Sequence, residues 1–129
     1  MRSWGTLEEL ANTAQRVYGV AVVGGRVVWV DEYGPQRELA LYALDSGVAT
    51  LVGVVPSSGN AMGSPLVADG DRNRVLFAPG GAIESLDVNS GADKMLAATS
   101  ASHAITRDEA WIYWTTTLAS VERMPITQQ

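Results

Sequence analysis

Short apolar runs, each closed by a turn rich in glycine or aspartate, recur along most of this chain. Arg26-Val27-Val28-Trp29-Val30 is apolar on both sides of an extended backbone, with Val27 and Trp29 on one face and Val28 and Val30 on the other. A half-solvated sheet alternates apolar and polar residues; a sheet covered on both faces has no need to. The pattern predicts strands near 18–23, 26–31, 38–45 and 48–54, then 65–69, 74–78, 82–88 and 92–98, then 103–107, 110–116 and 119–126. Gly24-Gly25 and Asp69-Gly70 supply residues that tolerate positive φ between the first two strands of a group, and Pro79-Gly80-Gly81 turns the chain between the second and third.

The groups repeat one another. Arg26-Val27-Val28-Trp29-Val30 aligns with Arg74-Val75-Leu76-Phe77-Ala78 and with Trp111-Ile112-Tyr113-Trp114-Thr115. Leu41-Tyr42-Ala43-Leu44-Asp45 aligns with Ile83-Glu84-Ser85-Leu86-Asp87 and with Val121-Glu122-Arg123-Met124-Pro125. A repeat of about 40–45 residues with four strands per unit is the signature of a β-propeller blade. The expected fold class is therefore all-β, with three four-stranded blades in one domain spanning 1–129: units at about 18–54 and 64–98, and a third at 103–126 that lacks its fourth strand.

The missing strand has a match at the front of the chain. Gly5-Thr6-Leu7-Glu8-Glu9-Leu10-Ala11-Asn12-Thr13 aligns with Gly91-Ala92-Asp93-Lys94-Met95-Leu96-Ala97-Ala98-Thr99, the outermost strand of the second unit. A local signal opposes this. Thr6-x-x-Glu9 is a capping-box pattern, and Leu7, Leu10, Ala11 and Ala14 fall at helical spacing. The repeat match favours a strand at residues 5–11, since tertiary context overrides local propensity.

Three blades form an open arc whose two ends expose apolar sheet faces, and burying one large apolar side chain is worth roughly 1.5–3 kcal/mol. Two copies related by a two-fold axis would close a six-bladed ring, residues 5–11 of each completing the third blade of the other. The expectation is a homodimer with strand exchange. Its rivals are a fragment of a longer propeller, three blades closed on themselves, and another all-β fold such as a barrel or sandwich.

Composition narrows the partners. A net charge of −5, with nine basic residues scattered singly, disfavours nucleic acid, whose phosphates need clustered Lys and Arg. No apolar stretch approaches the ~20 residues of a membrane span, and the amino terminus lacks the layout of a secretion signal. The absence of cysteine removes disulfides and thiolate metal sites and leaves the compartment open. An apolar share of 47% fits burial between subunits.

Ile112-Tyr113-Trp114-Thr115-Thr116 is close to a Tyr-Trp-Thr-Asp signature, and Trp29-Val30-Asp31 is a weaker echo. With these motifs the repeat resembles six-bladed propellers of the YWTD and NHL kind. Thr116 stands where that signature places Asp, so any structural role of the Asp does not carry over. The resemblance implies a module that binds proteins or other ligands. Similar propellers include lactonases and lyases, and fold alone does not choose among them.

The expected site is the axial channel mouth, lined by Tyr18, Asp31, Asn60, Ser64 and His103, and open to a small molecule or a protein. His103, the single histidine, opens the innermost strand of the third unit at the position of Tyr18 and Ser64. It could serve as the general base of a lyase or hydrolase; the plainer reading is a polar residue in a wet channel. Asp31-Glu32 is expected in a solvated loop after the second strand, where two acids could help hold a cation only if the chain turns there. Asp69-Gly70-Asp71-Arg72-Asn73 begins like a calcium loop, but Arg74 stands where such a loop has Gly and Gly80 where it has Glu, so it reads as a turn. Trp29, Trp111, Tyr113 and Trp114 are expected in blade cores and Trp4 at a subunit boundary. No cofactor or metal is implied. The insertion at 56–64, longer than its counterparts in the other units, is the loop most suited to carry function.

Overall fold

The computed structural model describes residues 6–12, 17–33, 38–55, 66–78, 81–99 and 101–127. Eleven strands are described: β1 (Val17–Val23), β2 (Arg26–Tyr33), β3 (Glu38–Asp45), β4 (Val48–Val55), β5 (Val67–Asp69), β6 (Arg74–Phe77), β7 (Ala82–Asp87), β8 (Asp93–Ala98), β9 (Ala101–Arg107), β10 (Trp111–Thr116) and β11 (Val121–Pro125). They form three antiparallel sheets in simple up-and-down order, β1-β2-β3-β4, β5-β6-β7-β8 and β11-β10-β9. Among the described residues the third sheet has three strands, with β11 at its edge.

Turn chemistry accounts for the tight connections. Gly24 and Gly25 join β1 to β2 with φ of 58° and 79°, and Ser46 and Gly47 join β3 to β4 with φ of 52° and 80°. Positive φ at both central residues is the mirror-image turn whose twist suits a hairpin. The β5–β6 connection departs from expectation. Gly70–Arg72 form a short 3-10 turn, and the left-handed residue is Asn73 at φ 50°, not Asp69 or Gly70.

The other departures lie in β2 and at the front of the chain. β2 runs on to Tyr33, so Asp31-Glu32 sit inside a strand and not in a loop. Asp31 pairs with Val17 on one side and Ala40 on the other, and it is buried. Residues 6–12 are neither helix nor strand, and they are exposed. The insertion at 56–64 and Trp4 fall outside the described residues.

Two cores lie between the sheets. Val28, Val30, Leu39 and Leu41 of the first sheet meet Val75, Phe77 and Leu86 of the second. Leu76 and Ile83, on the other face of the second sheet, meet Ile105, Ile112, Trp114 and Ile126 of the third. The second sheet is therefore covered on both sides, which is why β6 is buried at every position. The innermost strands stand side by side, β1 against β5 and β5 against β9. At the outer rim the first two sheets approach backbone to backbone: a Cβ added to Gly91 would lie 2.6 Å from the Val52 carbonyl oxygen, and Gly91 holds φ 74°. Only glycine satisfies both conditions.

Arginines opening β2 and β6 tie each sheet to the next. Arg26 donates to both carboxylate oxygens of Asp45 at 3.0 and 2.8 Å and reaches across to the Val88 carbonyl at 2.9 Å. Arg74 donates to Asp69 Oδ2 at 2.7 Å and reaches the Ile126 carbonyl at 3.3 Å. Val88 and Ile126 are equivalent in the repeat, each two residues beyond the third strand's Leu86 or Met124. The same junction is made twice, from the same position to the same position. In the third sheet Trp111 replaces the arginine, and the Arg123 guanidinium lies 3.8 Å over its ring.

Candidate functional site

The expected channel-mouth residues are only partly described. Tyr18 lies in β1 where the pairing with β2 slips, between Val17 opposite Asp31 and Gly19 opposite Val30. His103 lies in β9 within a matching irregularity, between Ala101 opposite Thr116 and Ile105 opposite Trp114. Bulges of this kind re-aim side chains and recur beside functional sites. The backbone thus brings Tyr18 and Asp31 together at one end of the first sheet and puts His103 at the equivalent place in the third. Asn60 and Ser64 lie outside the described residues, as do the side chains of Tyr18 and His103.

Sequence reading missed the acid–base clusters. Asp69, fully buried, takes Arg74 Nε at 2.7 Å and Arg72 Nη1 at 3.1 Å, with Arg107 Nη1 at 3.9 Å. Arg107 also donates Nε to the Ala68 carbonyl at 2.7 Å, so the cluster joins the second sheet to the third. The recurrence of Arg at 26 and 74 was the available signal.

Glu84, on β7, shares a face of the sheet with Phe77 opposite and with Asp93 on the neighbouring β8. Burial pushes its carboxyl up to about 7, and the Asp93 carboxyl adds to the shift by hydrogen bonding and by repulsion. The folded chain thus holds a proton that the unfolded chain releases, and stability falls as pH rises from about 4.5 to about 7. Glu84→Gln is expected to flatten this slope and to melt above the wild type at pH 8. Because Glu84 is part-exposed, solvent screening limits the gain to about 1 kcal/mol; melting temperature followed from pH 4 to 8 checks it.

Among the described residues, no sheet covers the outer face of the first sheet or of the third. On the first sheet one cross-strand row reads Val20, Trp29, Tyr42, Leu51. Trp29 and Tyr42 stack with centroids 5.9 Å apart, while Val20, Val22 and Leu51 are exposed. The corresponding rows of the other sheets read Phe77, Glu84, Met95 and Ile105, Trp114, Glu122, and Leu66, just before β5, holds Val20's place in the repeat. Val20 is 63% exposed, whereas its equivalents Leu66 and Ile105 are 9% and 7% exposed, because each of those has a preceding sheet against it. The Trp114 indole donates to Glu122 Oε1 at 2.9 Å. Tyr42 takes that glutamate's place in the first sheet, and the buried Trp29 indole N–H has no acceptor among the described residues.

At the opposite end the third sheet exposes a shallow hollow of about 150 Å3, lined almost wholly by apolar atoms of Ala104, Thr106, Tyr113, Thr115 and Val121 among others. Beside the β11 edge runs an open groove of about 520 Å3, walled by Ala97, Ala98 and Thr99 on one side and Glu122, Arg123 and Met124 on the other. Thr99 donates to Glu122 Oε1 at 2.6 Å across its floor. A chain of the nidogen/laminin complex crystal structure superposes on 90% of this chain with a TM-score of 0.64 at 16% identity. The fold is β-propeller-like. The match covers 46% of that chain, so the present chain spans about half its length. No protein-family model and no curated protein matches. The three sheets are accordingly blade-like and are called blades from here on: β1, β5 and β9 are their inner strands, and β4 and β8 the outer strands of the first two.

Proposed function

We propose that the chain is a half-propeller binding module. Two copies close a six-bladed ring, each lending residues 5–11 to the third blade of the other. A ligand or protein binds at the channel mouth, at Tyr18, Asp31, Asn60, Ser64 and His103. The observation that carries the reading is Val20, exposed where its repeat equivalents Leu66 and Ile105 are buried. An apolar side chain at a core position of a repeat is explained by a covering blade, and a second copy supplies one.

Further observations support it. The hollow beside Tyr113 and Thr115 faces away from the second blade and offers an apolar surface to that cover. The groove at β11 runs where a fourth strand belongs. Half coverage of a longer propeller-like chain agrees with three blades of a larger ring, of the YWTD and NHL kind. The nidogen/laminin structure is of a protein complex, and protein binding enters here as part of the proposal. The junction between copies differs from the inner ones, because Trp111 stands in the arginine position and forms no equivalent bridge.

Native mass in solution tests the assembly. Twice 13.7 kDa at micromolar concentration is expected; a single-chain mass overturns the ring. The site is tested separately, by asking whether Asp31→Asn and His103→Ala release a molecule that co-purifies with the ring in native mass spectrometry.

A further inference from the structure

We propose that residues 6–12 of a second copy add to the β11 edge in one register, with Glu8 opposite Arg123 and Leu10 as a bulged residue turned into the junction between copies. This rests on the two-copy reading above and specifies the surface through which the copies recognise each other.

The two outer strands already in place supply the template. In the first blade Leu41 pairs with Gly53 and Tyr42 with Leu51, which leaves Val52 over. In the second, Ile83 pairs with Ala97 and Glu84 with Met95, which leaves Leu96 over. Both leftover residues are apolar, and both pack into the core shared with the following blade. The bulge is thus a repeated device that tucks one outer-strand side chain into the next junction. The match of residues 5–13 to 91–99 puts Leu10 at this position. Leu10 is 50% exposed in the single chain. In the completed third blade it faces the junction with the donor's own first blade, the face that carries Val20.

Carrying the β7–β8 register onto β11 sets the remaining pairs: Val121 with Ala11, Glu122 with Glu9, Arg123 with Glu8, and Met124 with Leu7. The signs suit the outer pair. Arg123 is exposed, with its guanidinium over Trp111, and Glu8 brings a carboxylate directly across. Opposite charges at directly facing positions favour a register and like charges oppose it, so Glu8 across from Arg123 favours this one and Glu9 across from Glu122 opposes it, and the bulge position of Leu10 decides between them. Leu7, 98% exposed in the single chain, enters the groove on the side of half-buried Met124. A slip by one residue would send every donated side chain to the wrong face.

The chain has no cysteine, so an introduced pair reports the register without background. Glu8→Cys combined with Arg123→Cys is expected to oxidise to a covalent two-chain species that persists in denaturant and reverts with reductant. Glu8→Cys combined with Val121→Cys, displaced by two residues on the same face, is expected to link at least tenfold more slowly. All three positions are exposed, so folding does not depend on them. A protein that is two-chain by native mass, yet links through the Val121 pair or through neither, has another register, and the ring reading stands while this one falls. A disulfide within one chain means that the segment docks on its own third blade, which overturns exchange. A single-chain native mass before any oxidation defeats the ring itself.

Discussion

Asp69→Ala is expected to lower the stability of the folded chain by about 3–5 kcal/mol, the usual cost of removing one member of a buried ion pair. The substitution takes away the carboxylate held 2.7 Å from Arg74 Nε, and the Arg74 guanidinium remains in a site where only 7% of its side chain is exposed. A loss of this size is a large share of the 5–15 kcal/mol that holds an ordinary domain together. The two cores do not fail equally. Arg74 also reaches the Ile126 carbonyl, and Arg107, 3.9 Å from the same carboxylate, holds the Ala68 carbonyl, so the junction between second and third blades loosens first. Asp69→Asn keeps an acceptor of the same shape and is expected to cost less. Arg72→Ala removes a partner that is itself part-exposed and should cost least. Urea midpoints of the three variants give the ranking; equal midpoints would mean that the cluster is not one unit.

In the proposed two-copy ring, Val20→Asp is expected to separate the copies while leaving each chain folded. Val20 is exposed in the single chain, so a carboxylate there meets water and the blade is unharmed. In the ring it would be buried against the apolar hollow beside Tyr113 and Thr115, where the Arg123 guanidinium already lies over the Trp111 ring. Burying an unpaired charge costs several kcal/mol, and a two-fold ring incurs the cost at both of its closing junctions. At about 1.4 kcal/mol per tenfold, dissociation should strengthen by well over a thousandfold. Native mass and a urea melt of the same sample read the two halves of the prediction. A variant that stays two-chain would place the contact between copies elsewhere; one that unfolds would show that Val20 supports the single chain.

Much of the architecture was legible because its causes are local. Gly24-Gly25 bend the chain with positive φ, and the apolar runs between such turns became the strands. The repeat told Trp29, Phe77 and Trp114 apart from their neighbours as one equivalent set; Phe77 packs into the core with the first sheet and Trp114 into the core with the second. Asp31-Glu32 was misread because two acids after an apolar run look like a solvated turn. Only the pairing of β2 between β1 and β3 shows that the strand carries on to Tyr33. Asp69 was read as a turn residue, and nothing near it in sequence announces that Arg107 arrives from another blade.

The sequence by itself determined the three groups of strands and their up-and-down order, because period-two patterning and turn chemistry act over a few residues. The tertiary structure alone decided which charges are buried, which apolar faces meet and which stay open. Those outcomes depend on residues dozens of positions apart, as when Arg26 reaches the Val88 carbonyl, and on whether a neighbouring sheet is there to exclude water. Val20 and Ile105 are the same kind of residue at the same place in the repeat. One is covered and the other is not, and that difference belongs to packing.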